Sequence, residues 1–152
     1  GEPARLLLGV DPPEDADLMS DEEFEALRVS AGFPWFGADM NAESLPLEAR
    51  QEAAISMEKG CYMGQETVSR IVFRGHVNKI LMGLRFNGAA SAAGATVSRE
   101  GKEIGKVTSV AKKTGLALVR YEDAVAGAKV SADGKAGELF IFAAWPKPLS
   151  KA

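Results

Sequence analysis

The second half of the chain consists of short apolar segments separated by glycine-containing turns, and this pattern restricts the possible folds most. The segments recur at intervals of roughly ten residues between 84 and 145, a spacing typical of a small antiparallel sandwich or barrel. Arg99–Lys102 and Ala132–Lys135 have the composition of tight hairpin turns. The strands predicted here are Thr96–Ser98, Lys102–Val110, Gly115–Arg120, Lys129–Ser131 and Gly137–Phe142. This half of the chain is therefore predicted to be all-β.

The first half has the signals of helices. Ser20 followed by three acidic residues is typical of a helix start, and Gly32 is expected to end that helix. A second helix is predicted for Gln65–Arg74, and a short one for Leu47–Met57. A strand over Val77–Phe86 then leads into the all-β region.

The beginning of the sequence predicts a piece of a longer protein. Arg5–Val10 has the composition of a strand, but nothing precedes it with which it could pair. The sequence also has no initiator methionine. A complete small protein with a processed N-terminus is the alternative.

Composition excludes several classes of function. Of the 152 residues, 46% are hydrophobic and 26% charged, as in ordinary globular proteins, and the net charge of −3 gives no attraction to nucleic acid or an anionic membrane. No apolar run is long enough to span a bilayer, and no secretory signal is visible. One cysteine and one histidine exclude an internal disulfide and a Cys- or His-rich metal site, so no metal site is predicted. We expect a cytoplasmic, reducing environment.

The only cysteine lies in the run Lys59–Glu66, which is the strongest functional signal. Lys59 precedes Cys61 by two residues, Gly60 and Gly64 flank it, and a helix is predicted just beyond. A nearby cation and a helix N-terminus favour the thiolate, and the glycines allow a ligand to approach the backbone. Such a thiol could be a nucleophile, a redox group or a soft-metal ligand; a buried, inert thiol is the alternative.

Weaker candidates lie outside this run. Three basic residues could join Lys59 in holding an anion such as a carboxylate tail, although such a set is more often a solvated helix face. These residues are Arg70, Arg74 and Lys79. Trp35 and Phe36 could stack on a flat ring or belong to the core. His76 has no partner pattern and is interpreted as incidental.

The run Lys59–Glu66, Lys-Gly-Cys-Tyr-Met-Gly-Gln-Glu, resembles the signature of the YgfZ-type folate-binding proteins. These are relatives of the glycine cleavage T-protein (aminomethyltransferase) and include an iron–sulfur assembly factor. Three further segments resemble elements of the same family and occur in the right order. They are Leu27–Pro34, Leu45–Ala49 and Gly105–Ser109. The resemblance extends from about residue 5 to residue 145.

The resemblance implies an α+β fold in two parts. Residues 1–83 would be the C-terminal part of a ferredoxin-like, folate-binding α+β region, and residues 84–152 a small antiparallel Greek-key β-barrel of the T-protein type. Cys61 and Lys59 match the positions on which the activity of the family is thought to depend. The folate-contacting positions that the resemblance implies are Arg28, Gly60, Tyr62, Gly64, Gln65, Glu66 and Arg70.

The implied function is that of a tetrahydrofolate-binding protein that supports iron–sulfur cluster assembly or repair and linked tRNA modification. Its partners would be folate and iron–sulfur client or assembly proteins. Because the N-terminal region of the family is missing from this sequence, we expect tetrahydrofolate to be bound poorly by this piece. The alternative is an aminomethyltransferase, but Ser30 stands where the T-protein pattern Arg-x-Glu has a carboxylate. A third interpretation is a barrel that only binds other proteins.

Overall fold

The computed structural model of the protein describes residues 17–146. Helix α1 covers Asp21–Ala31, as predicted. Its N-terminus is a capping box, in which the Ser20 hydroxyl accepts from the backbone N–H of Glu23 and the Glu23 carboxylate accepts from the backbone N–H of Ser20. Its C-cap residue, Gly32, has a left-handed φ of 73°, and a Cβ there would lie 2.5 Å from the Phe142 ring. Glycine is therefore required at this position both by the backbone and by packing.

Helix α2 covers Gln65–Arg74 and confirms the predicted bounds. It begins after Gly64, whose φ of 85° lies in the left-handed region, and ends where the backbone N–H of Gly75 donates to the carbonyl of Ile71. Val68 is buried in the main core. α2 thus packs one face on the core and leaves its charged face in solvent.

The helix predicted for Leu47–Met57 is wrong. This segment forms turns followed by one 3-10 turn at Glu52–Ala54. Arg50 has a φ of 59°, which a helix does not allow, and the backbone N–H of Leu81 donates to the carbonyl of Glu48 at 2.7 Å. A hydrogen bond to a distant strand therefore overrides the local helix propensity.

Six strands form a closed antiparallel barrel in the order β1-β4-β3-β2-β5-β6. The strands are β1 Lys79–Phe86, β2 Thr96–Arg99, β3 Lys102–Ala111, β4 Thr114–Arg120, β5 Lys129–Ala132 and β6 Lys135–Phe140. β2, β3 and β4 form a meander with β1 beside β4, which is a Greek-key arrangement. The α+β fold with a small barrel is confirmed; β6 begins and ends two residues earlier than predicted.

The two predicted hairpin turns are confirmed. Glu100 and Gly101 have φ values of 52° and 82°, and Asp133 and Gly134 have values of 47° and 80°. Positive φ at both central residues is the geometry that matches the twist of paired strands. These turns fix the β2–β3 and β5–β6 pairings.

The core lies mainly inside the barrel, with a smaller apolar cluster outside it. Met82 and Leu84 of β1 belong to the large core, whereas Leu81 packs in the smaller cluster with Val29 of α1 and Phe142. β1 is consequently buried on both faces, and α1 covers the outside of the barrel at β3 and β4. The predicted boundary at residues 83 and 84 falls inside β1, so the division into two domains stays a prediction.

Before β1, the described residues contain two α-helices and no strand longer than an isolated bridge between Phe36 and Met40. The predicted opening strand, Arg5–Val10, lies outside the described residues. The ferredoxin-like character of this part stays a prediction. Within residues 17–146, no helix combines the length and the apolar character that crossing a membrane requires.

Candidate functional site

Cys61 lies in an irregular loop between the 3-10 turn and α2, and its thiol is free and exposed to solvent. The loop reaches α2 through Gly64, and neither Gly60 nor Gly64 has any atom near the position of a missing Cβ. The backbone on both sides of the cysteine is therefore open to a ligand. The predicted exposed thiol is confirmed, and the alternative of a buried one is wrong.

Lys59 contacts Tyr62 within the same loop. Its Nζ lies 4.8 Å from the centroid of the Tyr62 ring, a cation–π geometry, and its backbone N–H donates to the Ser56 hydroxyl at 3.1 Å. The structure records no bond between Lys59 and Cys61 in the described part of the chain. Activation of the thiol by Lys59 stays a prediction.

A cleft of about 330 Å³ opens beside this loop. Its walls are mostly apolar, with the Lys59 ammonium group and a few hydroxyls as polar groups. The lining residues are Leu45, Pro46, Ala54, Ile55, Ser56, Lys59, Tyr62, Met63, Gly64, Thr67 and Val68. The Tyr62 hydroxyl is buried and has no hydrogen-bond partner among residues 17–146. The volume is at the small end of ligand sites.

The other residues predicted on α2 do not line this cleft. Glu66 and Arg70 form a solvent-exposed ion pair of 2.7 Å one helical turn apart, and Gln65 is half-buried at the start of the helix. Arg70 and Arg74 share a separate surface depression. The structure therefore separates this basic pair from Lys59.

Arg28 lies far from solvent at the junction of α1 and the barrel. Its guanidinium donates to both carboxylate oxygens of Glu25, to Asp39 Oδ2 at 2.8 Å, to the Phe33 carbonyl at 3.2 Å and to the Ser109 hydroxyl at 2.7 Å. All five of its N–H donors are thus used within the protein. Its predicted folate contact stays a prediction, and it would require one of these bonds to break.

Asp39, which the sequence analysis did not single out, is the centre of this junction. Its side chain is completely buried and accepts from Arg28, from the backbone N–H of Trp35 at 2.9 Å, and from the hydroxyls of Thr108 and Ser109. Two segments that carry the family resemblance, Leu27–Pro34 and Gly105–Ser109, therefore meet at one buried carboxylate. In the sequence, the only signal for this buried junction was the polar pair Thr108 and Ser109 in the segment Gly105–Ser109.

The remaining candidates are dispersed. Trp35 and Phe36 are exposed and lie on a different surface from the cleft, where Trp35 packs edge-on against Phe24 with ring centroids 5.2 Å apart. His76 stacks on Tyr121 with centroids 4.5 Å apart. Lys79 begins β1 and is exposed. These positions form no common site with Cys61.

Native-state labelling tests the state of the thiol. A soft thiol reagent should modify Cys61 at neutral pH at a rate within an order of magnitude of that for the unfolded chain, because the side chain is exposed. Lys59→Met should slow labelling about twofold to threefold, as expected when a nearby, solvent-screened cation is lost. Lys106→Met, at an exposed position on β3, is the matched control. A protected thiol would contradict the first expectation, and an unchanged rate in Lys59→Met would remove the role of that lysine.

Comparisons with known proteins place the barrel and the cysteine loop beside those of YgfZ-type proteins. Residues 79–147, which include the whole barrel, match the family model of the CAF17 C-terminal beta-barrel domain. The chain is also 35% identical over 113 residues, 72% of its length, to the tRNA-modifying protein YgfZ of Escherichia coli. It is 38% identical over 96 residues, 63% of its length, to a chloroplastic protein of Arabidopsis thaliana named as a transferase. These findings bear out the resemblance: the chain matches the C-terminal portion of YgfZ-type proteins.

A solved structure shows the same fold. The glycine cleavage system aminomethyltransferase T of Bartonella henselae superposes with a TM-score of 0.69, covering 84% of this chain and 39% of that one at 21% identity. At this identity the likeness shows the fold alone. The chain spans 33% of the length of the Escherichia coli relative and 22% of that of the Arabidopsis protein.

Proposed function

We propose that this chain belongs to a cytoplasmic tetrahydrofolate-binding protein that supports iron–sulfur cluster assembly or repair and linked tRNA modification. The observation that carries the proposal is the exposed Cys61, the only cysteine of the chain, in a glycine-bounded loop beside a cleft. A thiolate is the protein ligand with the greatest affinity for iron–sulfur clusters. The name of the Escherichia coli relative as a tRNA-modifying protein supports the linked process.

The cleft beside Cys61 has groups that suit one end of folate. Its apolar walls suit a flat heteroaromatic ring, and the ammonium of Lys59, one of the lining residues, could pair with a carboxylate. When bound, tetrahydrofolate would supply one-carbon chemistry. A volume of about 330 Å³ accommodates only part of the molecule, which agrees with weak binding by this chain.

In this proposal the iron–sulfur cluster is cargo, and it would reach Cys61 from the solvent-exposed side of the loop. The thiolate would act as a ligand to the cluster or as a thiol partner of a client protein, and both roles need the exposure that the loop provides. Iron–sulfur client or assembly proteins are accordingly the proposed partners.

Genetic complementation tests this function. In a strain that lacks YgfZ, the natural gene encoding this chain should restore an iron–sulfur-dependent tRNA modification, and Cys61→Ala should reduce it to the level of the empty vector. Glu58→Ala, an exposed residue of the same loop outside the cleft, should rescue fully. Rescue by Cys61→Ala would make the cysteine dispensable and overturn the proposed role.

The alternative function, aminomethyl transfer to tetrahydrofolate, has less support in this chain. The hydroxyl of Ser30 donates to the Leu27 carbonyl at 2.8 Å and supplies no carboxylate to manage a proton at the transferring amine. Release of methylene-tetrahydrofolate from an aminomethyl carrier, without rescue of tRNA modification, would favour the transferase. Failure of both assays would favour the third interpretation, a barrel that binds proteins only.

A further inference from the structure

A second, smaller cavity lies at the C-terminal end of α2, and the buried residue Glu52 is one of its walls. Its volume is about 90 Å³. Its walls come from the turn segment that contains Leu47 and Glu52, the C-terminal end of α2, the residues that lead into β1, and Tyr121 just after β4. The lining residues are Leu47, Glu52, Ile71, Val72, Gly75, His76, Val77, Ile80 and Tyr121. It shares no residue with the cleft beside Cys61, so it is a separate site.

Glu52 is the unusual residue of this cavity. It is 5% exposed, and its Oε2 is buried with no hydrogen-bond partner among residues 17–146. Arg50, the nearest cation that acts on it, donates instead to the Leu81 carbonyl at 3.0 Å and to Met82 Sδ at 3.4 Å. A buried, unpaired carboxylate oxygen is costly, and a donor group brought to Glu52 would offset this cost.

The other groups around the cavity also favour a cationic donor. Ile71 and Val72 lie in the last turn of α2 and Gly75 is its C-cap, so the end of the helix that has a partial negative charge lies at the cavity. His76 Nδ1 is 2.8 Å from the Val77 carbonyl, which can only accept, so this ring nitrogen is the donor of that hydrogen bond. The exposed His76 and Tyr121 rings stack at the rim, and an aromatic face attracts a cation.

The remaining walls define the kind of cation. Leu47, Val77 and Ile80 are apolar and buried, so they suit carbon atoms rather than a hydrated ion. One carboxylate and one imidazole are too few ligands for Ca²⁺, Mg²⁺ or Zn²⁺, and no group of three His, Cys, Asp or Glu side chains suited to a metal occurs in residues 17–146. The volume corresponds to roughly three water molecules, enough for an ammonium group with a few carbons.

We propose that this cavity binds a primary alkylammonium group, with the ammonium on Glu52 and the alkyl part against Leu47, Val77 and Ile80. Burial raises the pKa of the Glu52 carboxyl, and its own backbone N–H and Arg50 only partly oppose this effect. A bound ammonium would stabilise the ionised carboxylate. The ligand is either a small free amine or the tip of a lysine side chain on a partner protein.

Titration with n-propylammonium chloride, followed by the backbone amide NMR signals of Gly75 and Ile80, tests the proposal. We expect saturable shifts in the wild-type chain, with sodium chloride as the ionic-strength control. Glu52→Gln should weaken binding about tenfold or more, the effect of losing a charge-assisted hydrogen bond. Glu103→Gln, at an exposed position on β3, should bind as the wild type does. Tighter binding of Nα-acetyl-lysine amide would identify a protein lysine as the source, and tighter binding of propylammonium a free amine.

Three results would overturn the proposal: no saturable shift at Gly75 and Ile80, equal binding of 1-propanol, or unchanged binding by Glu52→Gln. Misfolding of the Glu52→Gln variant would also abolish binding, so the thermal unfolding of this variant is measured alongside the titration. Because the pKa of Glu52 is raised in the folded state, the ionised carboxylate lowers stability as the pH rises through that pKa. Glu52→Gln should therefore unfold at the same or a higher temperature than the wild type at pH 7, and this gain should vanish below the ordinary carboxyl pKa of 4.5.

Discussion

Asp39→Ala should lower the free energy of unfolding by about 3–5 kcal/mol, because it leaves the Arg28 guanidinium buried without its fully buried partner. The same change removes the acceptor for the Thr108 and Ser109 hydroxyls and for the backbone N–H of Trp35. A loss of this size is a large fraction of the stability of an ordinary domain. Equilibrium urea unfolding, monitored by tryptophan fluorescence, measures it directly.

A matched variant separates this effect from a general change in the loop. Glu43→Ala removes an exposed carboxylate four residues away and should change stability by about 0.5 kcal/mol or less. In a double-mutant cycle with Arg28→Met, Asp39→Ala should cost much less than in the wild-type background, because no unpaired guanidinium then remains. If Asp39→Ala costs less than about 1 kcal/mol, the buried junction does not hold α1 on the barrel.

Gly105→Ala should destabilise the barrel by about 3 kcal/mol, near the upper end of overpacking effects. A Cβ at Gly105 would lie 2.2 Å from the carbonyl oxygen of Leu118 and 2.7 Å from Cα of Val119. Both atoms belong to the backbone of β4, which pairs with β3 at this point, so the two strands would have to separate. Thermal unfolding by circular dichroism is the measurement.

Two other glycines give a graded comparison. At Gly83 the added Cβ would meet the Phe140 ring at 2.6 Å, and a side chain can yield more readily than a backbone. At Gly88 no atom lies within 4 Å and φ is not left-handed, so Gly88→Ala should be nearly neutral. We expect the loss of stability to follow the order Gly105, Gly83, Gly88. Equal losses at Gly105 and Gly88 would contradict the close approach of β3 and β4.

The elements that the sequence predicted well depend on local signals. Helix α1 has its cap at Ser20 and its end at Gly32, and α2 begins after Gly64, so short-range geometry fixes their bounds. The hairpins at Gly101 and Gly134 are likewise local, since each turn needs only residues with positive φ. The strands of the barrel could be predicted because such turns separate them.

The features that the sequence did not predict depend on distant partners. Asp39 binds Thr108 and Ser109, which lie 69 and 70 positions further along the chain, and nothing near Asp39 indicates them. The turn at Arg50 forms because β1 offers a hydrogen bond to Glu48, which a periodicity argument cannot include. The sequence left an exposed and a buried Cys61 as open alternatives, and only the structure shows the exposed one. The cavity at Glu52 forms only when α2, β1 and Tyr121, the residue after β4, come together.

The closure of the barrel also determines how another protein could recognise this one. Every strand of the barrel has a hydrogen-bonded neighbour on both sides, so it presents no open edge to which an incoming chain could add a strand. Assembly by shared β-structure is therefore unavailable at the barrel. A partner has to read side chains, and its specificity would change with single substitutions in the loops around the barrel while the sheet itself stays the same.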